Sequence, residues 1–524
     1  MDYAFDRFLR FDELTRWLED TVAAHPGIAT LQQYGTSHEG RALWLVTITD
    51  STTGAHDTKP AMWVDANIHS VEVTGSVAAL HLIERLVTGF ASGDPVVVDA
   101  LRTRTFYVVP RINPDGAEAA LSDSPRHRRS SMRPWPWTDR HRWPGLQSHD
   151  VDGNGRILSM RIEDPNGAWV EHPQQPILMI PVDHPLATSG VRRYRVIAEG
   201  TIESYDGFTI PTPRSVEGLD MNRNFPAGWG TGVTGSGDHP MSEPEIDALV
   251  RAVTARPNIC GYNAYHTSGG FLLRPSSTKP DSQLPPNDVW TFNRIAARCT
   301  ELTSYPAHSV YEDLTWDKSD TMSGAADDWA YEHLGVFGWT TEFWDVIEQA
   351  TGKKPGTFIW YVGPTEEEDI AVYRWALAHH PDTYHDWMPF DHPQLGAVEI
   401  GGWDETFLWS NAPGSRLLAE VKPHAEFAVY QALCSPRLEV LHTKVESLGG
   451  DSWRVDVGIA NTGWLPTFIT QWARDKKLVL PMVAELHGAE VVGGPARHEL
   501  GQLGGRLDMQ FSYGKNDGTP DRVL

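Results

Sequence analysis

His69 and Glu72 stand three residues apart, directly after the apolar run over residues 61–68. Such a run predicts a buried strand, and strand ends are where α/β enzymes hold their catalytic groups. Zinc prefers imidazole nitrogen and carboxylate oxygen, and a catalytic zinc takes three protein ligands and leaves one position open. The pair therefore predicts two ligands of a metal site. The alternative is structural: a histidine that ends a strand and a glutamate that the dipole of the following helix stabilises.

The elements that hold this pair follow from hydrophobic periodicity. Apolar residues recur at helical spacing after Val71, so Glu72 is expected where a helix begins. Helical and extended patterns alternate over the first 350 residues, with a helix predicted for residues 11–24 and strands for residues 43–48, 105–109, 260–265 and 336–341. Strands separated by helices predict an α/β sheet that is covered on both faces.

Two stretches depart from this alternation. Residues 117–218 are rich in proline, tryptophan and arginine, and we expect a large folded insertion there because a structureless loop of that length is improbable. Residues 438–445 and 453–459 alternate in polarity around a Gly-Gly-Asp turn, which predicts a small β-sandwich. We therefore divide the chain into an α/β domain over residues 1–435 and a β-sandwich-like domain over residues 436–524, whose completeness is left open.

Composition excludes several classes of partner. The formal net charge of -25 and the pI near 5.2 argue against nucleic acid or an anionic membrane surface. The three cysteines, Cys260, Cys299 and Cys434, show no paired spacing, which favours a reducing compartment. The N-terminus has no secretory pattern and no apolar segment is long enough to span a bilayer, so we expect a cytoplasmic protein. The oligomeric state is not indicated.

Six segments match one protein family in order along the chain. They are His69-Ser-Val-Glu72, Asn113-Pro-Asp-Gly116, Leu219 to Phe225, Ala264-Tyr-His-Thr267, Ser309-Val-Tyr311, and Asp328-Trp-Ala-Tyr331 with Thr340-Thr-Glu342. The chain resembles the zinc metallocarboxypeptidases of the carboxypeptidase A/B type, in a large bacterial-style form with a C-terminal β domain. The resemblance covers roughly the first 435 residues without the insertion. It implies a central mixed, mostly parallel sheet flanked by helices.

The resemblance also implies an activity: hydrolysis of the C-terminal peptide bond of peptides that carry a free C-terminal carboxylate. In that case His69, Glu72 and His266 are the zinc ligands, and Asp220 fixes the orientation of His69. Glu342 is the general base and acid, which takes a proton from the attacking water and passes it to the leaving amine.

A second group of residues is implied to bind substrate. Asn222 and Arg223 match the pair that holds the terminal carboxylate, since a guanidinium offers a planar fork for it. A structural salt bridge is the alternative for Arg223. Tyr311 matches a mobile tyrosine that closes over substrate, although residues 312–322 look inserted after it. Asp327 stands where the family selects the departing side chain, and an acid there favours lysine or arginine.

Three assignments keep alternatives. Counting from Asn113 favours Arg128 as the arginine that polarises the scissile carbonyl, with Arg129 and Arg133 as further candidates. Glu399 also resembles a glutamate at a strand end, so it is the alternative to Glu342. Because the adjacent Asp328 is also an acid, a match to the family shifted by one residue would assign the selecting role to Asp328 instead of Asp327.

The insertion contains a candidate calcium loop. Oxygen ligands stand at alternate positions and precede a glycine: Asp150, Asp152 and Asn154. Arg161 occupies the place of the glutamate that usually completes such a loop, so Glu163 or Asp164 would have to substitute. A hydrated turn without metal is the alternative.

Two other functions fit the same residues. The zinc site could serve an amidase or deacylase that acts on an acylated amino acid or a cell-wall peptide. The chain could also be a catalytically silent peptide-binding protein. Retention of both histidines, Glu72, Arg223 and Glu342 argues against the silent protein, because such groups cost stability when buried without a function.

Overall fold

A mixed eight-stranded sheet forms the centre of the protein. From one edge to the other its strands are Ala29–Thr36, Ala42–Ile48, Thr105–Val109, Ala61–Ala66, Ile259–Thr267, Phe337–Phe343, Phe271–Arg274 and Ala307–Ser309. The four middle strands, from the third to the sixth, run parallel to one another. The predicted carboxypeptidase-like α/β class is confirmed.

The computed structural model describes most of the chain. The described residues are 3–126, 128–135, 144–182, 190–211, 219–319, 321–357, 362–492, 494–507 and 521–524. Parts of the predicted insertion and of the predicted C-terminal domain therefore lie outside the described residues.

Helices cover both faces of the central sheet. On one face Met62 and Val64 pack in a cluster with the helices Val73–Ser92 and Gly414–Cys434. On the other face Trp63 belongs to a cluster with residues of Pro244–Thr254 and Pro286–Thr303. The other α-helices of the described residues are Phe11–Ala24, Pro95–Thr103, Pro114–Ala120, Ala326–Trp329, Val346–Thr351, Glu366–His379 and Gln471–Lys476. None of the described helices combines the length and apolarity that crossing a bilayer requires.

The described part of the predicted insertion is folded into strands. A six-stranded antiparallel sheet has the order Tyr384–His392, Gly396–Trp403, Ser159–Glu163, Tyr194–Ala198, Trp169–Glu171 and Met179–Pro181. Four of these six strands come from the insertion and two from the segment that precedes the last long helix. Gly145–Ser148 pairs with Gly200–Glu203 in a second, two-stranded sheet.

The C-terminal region is rich in antiparallel strands. Leu438–Gly449 and Ser452–Asn461 form the predicted hairpin, and Arg522–Val523 adds a third strand to it. Met482–Glu485 pairs with Arg497–Gly501. Between these sheets, Leu465 and Ile469 pack into the same core cluster as Trp339 of the central sheet.

Candidate active site

Adjacent strand ends bring the predicted residues together. His266 and Glu342 are direct register partners on neighbouring parallel strands, so their side chains emerge side by side. Tyr265 pairs with Ala66 at the end of the next strand, three residues before His69. Glu72 lies at the N-terminal boundary of the helix Val73–Ser92. Three distant parts of the sequence therefore meet at one edge of the central sheet.

The three predicted metal ligands form one buried cluster, with the ligand atoms of His69, Glu72 and His266 all within 4.8 Å of one another. His69 Nδ1 lies 2.7 Å from Glu72 Oε1, and His266 Nδ1 lies 3.0 Å from Glu72 Oε2. The two Nδ1 atoms are 3.2 Å apart. Two imidazole nitrogens and a carboxylate that converge in this way are a donor set that suits zinc.

Asp220 orients His69 from the opposite side of the ring. Its Oδ1 lies 3.0 Å from His69 Nε2, an arrangement in which Nε2–H donates and Nδ1 keeps its lone pair. The lone pair of Nδ1 points into the cluster. The geometry thus suits His69 as a metal ligand through Nδ1.

Electrostatics favour a charged carboxylate in this cluster. Burial alone opposes the charged form of Glu72, but attraction to His69 and His266 and their hydrogen bonds outweigh burial and lower its pKa. Thr267 N–H also donates to Glu72 Oε2 at 3.2 Å. Glu72 is therefore held as an anion, which is the form that binds a cation.

Glu342 lies beside the cluster without a hydrogen-bond partner for one oxygen. Its side chain is buried, and its Oε2 has no partner among the described residues. Burial raises its pKa well above the usual range, and the nearby charge of Glu72 adds to the effect. A buried carboxyl with a raised pKa and a free oxygen suits a group that accepts and returns a proton.

The structure places the second arginine candidate, and not the first, beside the predicted metal ligands. Arg129, the second candidate, lies in the cavity with the ligands: its Nη1 is 3.3 Å from Glu72 and its Nε is 3.3 Å from Asp220. Arg128, the first candidate, lines a separate cavity. Arg133 pairs with the buried Glu243 and does not line the cavity that holds the ligands. The reason is local backbone direction in a segment without periodic structure, which counting from Asn113 does not capture.

Arg223 lines the same cavity, and its guanidinium has N–H donors that no described residue engages. Its Nη1 donates to the backbone oxygen of Asn222 at 2.7 Å, and no carboxylate of the described residues forms an ion pair with it. The alternative of a structural salt bridge is thus absent from the described part of the chain. Asn222 is itself fixed, since its Oδ1 accepts a hydrogen bond from Ala326 N at 3.0 Å.

One cavity of about 320 Å³ is lined by the three predicted metal ligands and by Glu342, Arg129, Asn222 and Arg223. Its apolar wall is formed by Leu273, Val310, Leu314, Met322 and Ala325. Asp327 lines it as well and is buried, and burial raises the pKa of Asp327 above the usual range. The neighbouring Asp328 does not line the cavity and accepts a hydrogen bond from Ser277 N at 3.0 Å. The structure therefore places Asp327, and not Asp328, at the cavity.

Comparison with protein families decides the broader class. A family model described as zinc carboxypeptidase matches residues 14–156 and 192–352, more than half of the chain. The chain belongs to the zinc carboxypeptidase family. This family consists of zinc-dependent metallopeptidases, and the donor set above fits that metal. A second model, described as a domain of unknown function, matches residues 437–522.

Individual relatives are distant. Carboxypeptidase B of Astacus astacus is 28% identical over 162 residues, which are 31% of this chain and 44% of that protein. Carboxypeptidase A5 of Macaca fascicularis is 21% identical over 392 residues, which are 72% of this chain and 68% of that protein. A solved structure of thrombin activatable fibrinolysis inhibitor has a TM-score of 0.47 at 16% identity and covers 82% of this chain and 74% of its own. The chain spans less than half the length of the first curated relatives that it matches.

Two further predicted residues of this carboxypeptidase family member, Tyr311 and Glu399, do not line the cavity. Tyr311 is half-buried beside the cavity that Val310 and Leu314 line, and Lys318 Nζ lies 4.6 Å from the centre of its ring. Its closing role stays a prediction. Glu399, the alternative to Glu342, lies in the six-stranded sheet and pairs with Arg161 at 2.7 Å, so it is not part of this site.

The candidate calcium loop holds its carboxylates by its own backbone. Asp150 and Asp152 lie in one group with Glu199, and Asn154 donates through its Nδ2 to Asp152 Oδ2 at 3.0 Å. Asp150 accepts hydrogen bonds from Gly153 N at 2.7 Å and Gly155 N at 2.8 Å. These bonds account for the loop without a cation, and calcium binding stays a prediction that the structure does not support.

Sequence reasoning missed several residues of the cavity. Thr340 and Ser277 contribute its polar lining, and Leu273 and Met322 its apolar wall. Thr340 stands two residues before Glu342 on one strand, so the alternation of strand side chains could have identified it. The others come from separate loops and strands, for which the sequence contains no such signal.

Proposed function

We propose that the protein is a zinc-dependent carboxypeptidase that hydrolyses the C-terminal peptide bond of peptides. The observation that carries this proposal is the content of one cavity. It brings the donor cluster of His69, Glu72 and His266 together with Glu342 and with Arg223, whose guanidinium has no acidic partner among the described residues. The groups suited to hydrolysis and the group suited to binding a C-terminal carboxylate thus lie in one cavity.

Each residue has a role that its position supports. Arg223 and Asn222 hold the terminal carboxylate of the substrate, and Arg129 faces the scissile carbonyl as a preplaced donor. His69, Glu72 and His266 would hold Zn²⁺, which would supply Lewis-acid activation of a water molecule as the nucleophile. Glu342 accepts the proton of the attacking water and passes it to the leaving amine.

The same cavity supports a preference for basic C-terminal residues. A lysine or arginine side chain has a long apolar stem and a cationic end. The wall formed by Leu314 and Met322 suits the stem, and the carboxylate of Asp327 suits the cation. We therefore include C-terminal lysine and arginine as the preferred leaving residues.

The test uses zinc-loaded protein and short peptides that end in lysine with either a free carboxylate or an amide. We expect turnover of the acid and little of the amide, because only the acid engages Arg223. In Arg223→Ala, kcat/KM for the acid should fall by about a hundredfold, since charge-assisted bidentate bonds are lost. The Arg223→Ala variant should then hydrolyse the acid peptide and the amide peptide at similar rates.

Three results would remove the proposal. Equal turnover of acid and amide by the unaltered protein would mean that the chain end is not recognised. Turnover of N-acyl amino acids without turnover of longer peptides would instead favour the amidase or deacylase alternative. Identical rates for the protein before and after zinc removal would exclude a zinc mechanism.

A further inference from the structure

The long hairpin of the C-terminal region is exposed on both faces. Its strands, Leu438–Gly449 and Ser452–Asn461, pair without a register shift from His442 to Ser447. Every residue from Val440 to Gly449 is exposed, although side chains of a strand alternate between its two faces. The described part of the chain therefore covers neither face of the first strand over this stretch.

The two faces of this hairpin differ in polarity. One face is formed by apolar and hydroxyl side chains, which are Thr443, Val445, Ser447, Trp453, Val455 and Val457. The other face carries charges of both signs, with Lys444 opposite Asp456 and Glu446 opposite Arg454. On the first face Val445 is 58% and Trp453 is 61% exposed. Contiguous apolar surface of this kind marks a contact with another protein.

The strand Leu438–Gly449 is also an edge of its sheet. Among the described strands it pairs only with Ser452–Asn461, whose other edge is paired with Arg522–Val523 at Ile459 and Ala460. An edge strand presents a row of unpaired N–H and C=O groups, and most natural edges are short or covered. This edge is twelve residues long and uncovered, so it can accept a further strand.

The sequence of this edge is complementary to itself in the antiparallel direction. Residues 443–447 read Thr-Lys-Val-Glu-Ser. When two copies pair about a two-fold axis at Val445, Lys444 of each copy faces Glu446 of the other, and Thr443 faces Ser447. An axis at Lys444 or at Glu446 instead places like charges directly opposite each other, which is unfavourable. The charges therefore favour the axis at Val445.

We propose that a second copy of the chain docks on this edge and that the two strands Leu438–Gly449 pair antiparallel about Val445. Lys444 then lies between Asp456 of its own hairpin and Glu446 of the second copy, so each charge has an opposite charge on both sides. The two Val445 side chains lie side by side, a favourable cross-strand pair. The two three-stranded sheets become one continuous sheet, and a two-fold contact of this kind closes at two copies. This inference is independent of the proposed reaction.

The first test is the mass of the full chain in solution, measured by sedimentation velocity over a range of concentrations. We expect a dimer that dissociates on dilution. Lys444→Glu and Glu446→Lys should each raise the dimer dissociation constant by at least about tenfold, because the two-fold axis repeats each like-charge contact. An equimolar mixture of the two variants should dimerise again, since one copy then presents two acidic and the other two basic side chains.

Arg454→Glu is the matched control. It changes the net charge as Lys444→Glu does, and both changes place like charges opposite each other within the hairpin, at Glu446 and at Asp456 respectively. Arg454 lies on the second strand, so Arg454→Glu should stay dimeric, with circular dichroism used to verify folding. A monomer at every concentration, a dimer that both edge variants keep, or a mixture that stays monomeric would each overturn the proposal.

A disulfide test locates the axis. In Val445→Cys the introduced thiols face each other with their Cα atoms about 5 Å apart, which a disulfide can bridge. Val455 lies opposite Val445 on the same face and is similarly exposed, at 55%, but in the proposed dimer its two Cα atoms are three strand spacings, about 14 Å, apart. We expect a disulfide-linked dimer from Val445→Cys and none from Val455→Cys. A link through Val455→Cys alone would assign the contact to the other edge of the hairpin and contradict the proposal, as would a link through neither.

Discussion

The two groups of potential metal ligands in the described residues differ in what satisfies their carboxylates. In the group of His69, Glu72 and His266, the side chains converge on one another inside the protein. In the group of Asp150, Asp152 and Glu199, backbone N–H groups occupy the carboxylates, as when Val151 N donates to Glu199 at 2.6 Å and Leu158 N at 2.9 Å. The first group therefore presents donor atoms of separate segments to one another, whereas the carboxylates of the second group already accept hydrogen bonds from nearby backbone.

This difference shows why spacing alone is a weak predictor of a metal site. Both groups begin with a motif whose residue types suit a metal. At the central sheet, adjacent strand ends aim donors from separate segments at one point. In the insertion, a turn uses the same residue types to bond its own backbone. The predictions below test the contrast, starting with the largest expected effect.

Glu342→Gln should lower kcat by about a thousandfold, because glutamine cannot accept and return the proton. Glu399→Gln is the matched control, since Glu399 pairs with Arg161 in the other sheet and should leave kcat unchanged. Steady-state kinetics on a lysine-terminated peptide measure both. A similar loss in both variants, or in neither, would show that the central-sheet glutamate has no special role.

Arg129→Ala should lower kcat by about a hundredfold, because a preplaced donor for the developing oxyanion is lost. Arg128→Ala is the matched control and should leave kcat near that of the unaltered protein, since Arg128 lines a separate cavity. The reverse result would mean that the bound state repositions this segment and that the choice based on counting residues from Asn113 was right.

Asp327→Asn should reduce the preference for C-terminal lysine over phenylalanine by about tenfold. Because burial raises the pKa of Asp327, this carboxyl is neutralised at a higher pH than an ordinary aspartate. The lysine preference of the unaltered protein should therefore weaken as the pH falls through the mildly acidic range. If Asp327→Asn kept the lysine preference with the same pH dependence, a group other than Asp327 would be responsible for that preference.

Asp150→Ala should have the smallest effect. Loss of the loop hydrogen bonds should lower the free energy of unfolding by about 1 kcal/mol, seen as a slightly lower Tm, with peptidase activity retained. Added calcium should leave the Tm of the unaltered protein unchanged. A rise in Tm with calcium that Asp150→Ala removes would restore the calcium hypothesis.

Local patterns predicted much of the fold and part of the site. The helix Phe11–Ala24 and the central strands follow from periodicity, because burial of one face or both faces of an element leaves a repeat in the sequence. His69, Glu72 and His266 stand next to such strands, so their meeting could be anticipated from the sheet.

The rest of the fold and of the site depends on contacts that produce no periodic pattern in the sequence. The choice between Arg128 and Arg129 depends on the direction of a single peptide in an irregular segment. Glu199, which joins Asp150 and Asp152, lies between the strands Tyr194–Ala198 and Gly200–Glu203, almost fifty residues after Asp150 and outside the loop motif. Within residues 384–403 the sequence indicated only a strand end at Glu399, although Tyr384–His392 and Gly396–Trp403 are two strands of the six-stranded sheet.

The most direct test of the central claim is the zinc content of the purified protein after zinc supplementation and removal of unbound metal. We predict equimolar zinc in the unaltered protein and in Asp150→Ala, and almost none in His266→Asn, with circular dichroism used to verify that all three are folded. Absence of zinc from the unaltered protein, or equal zinc in His266→Asn, would contradict the account.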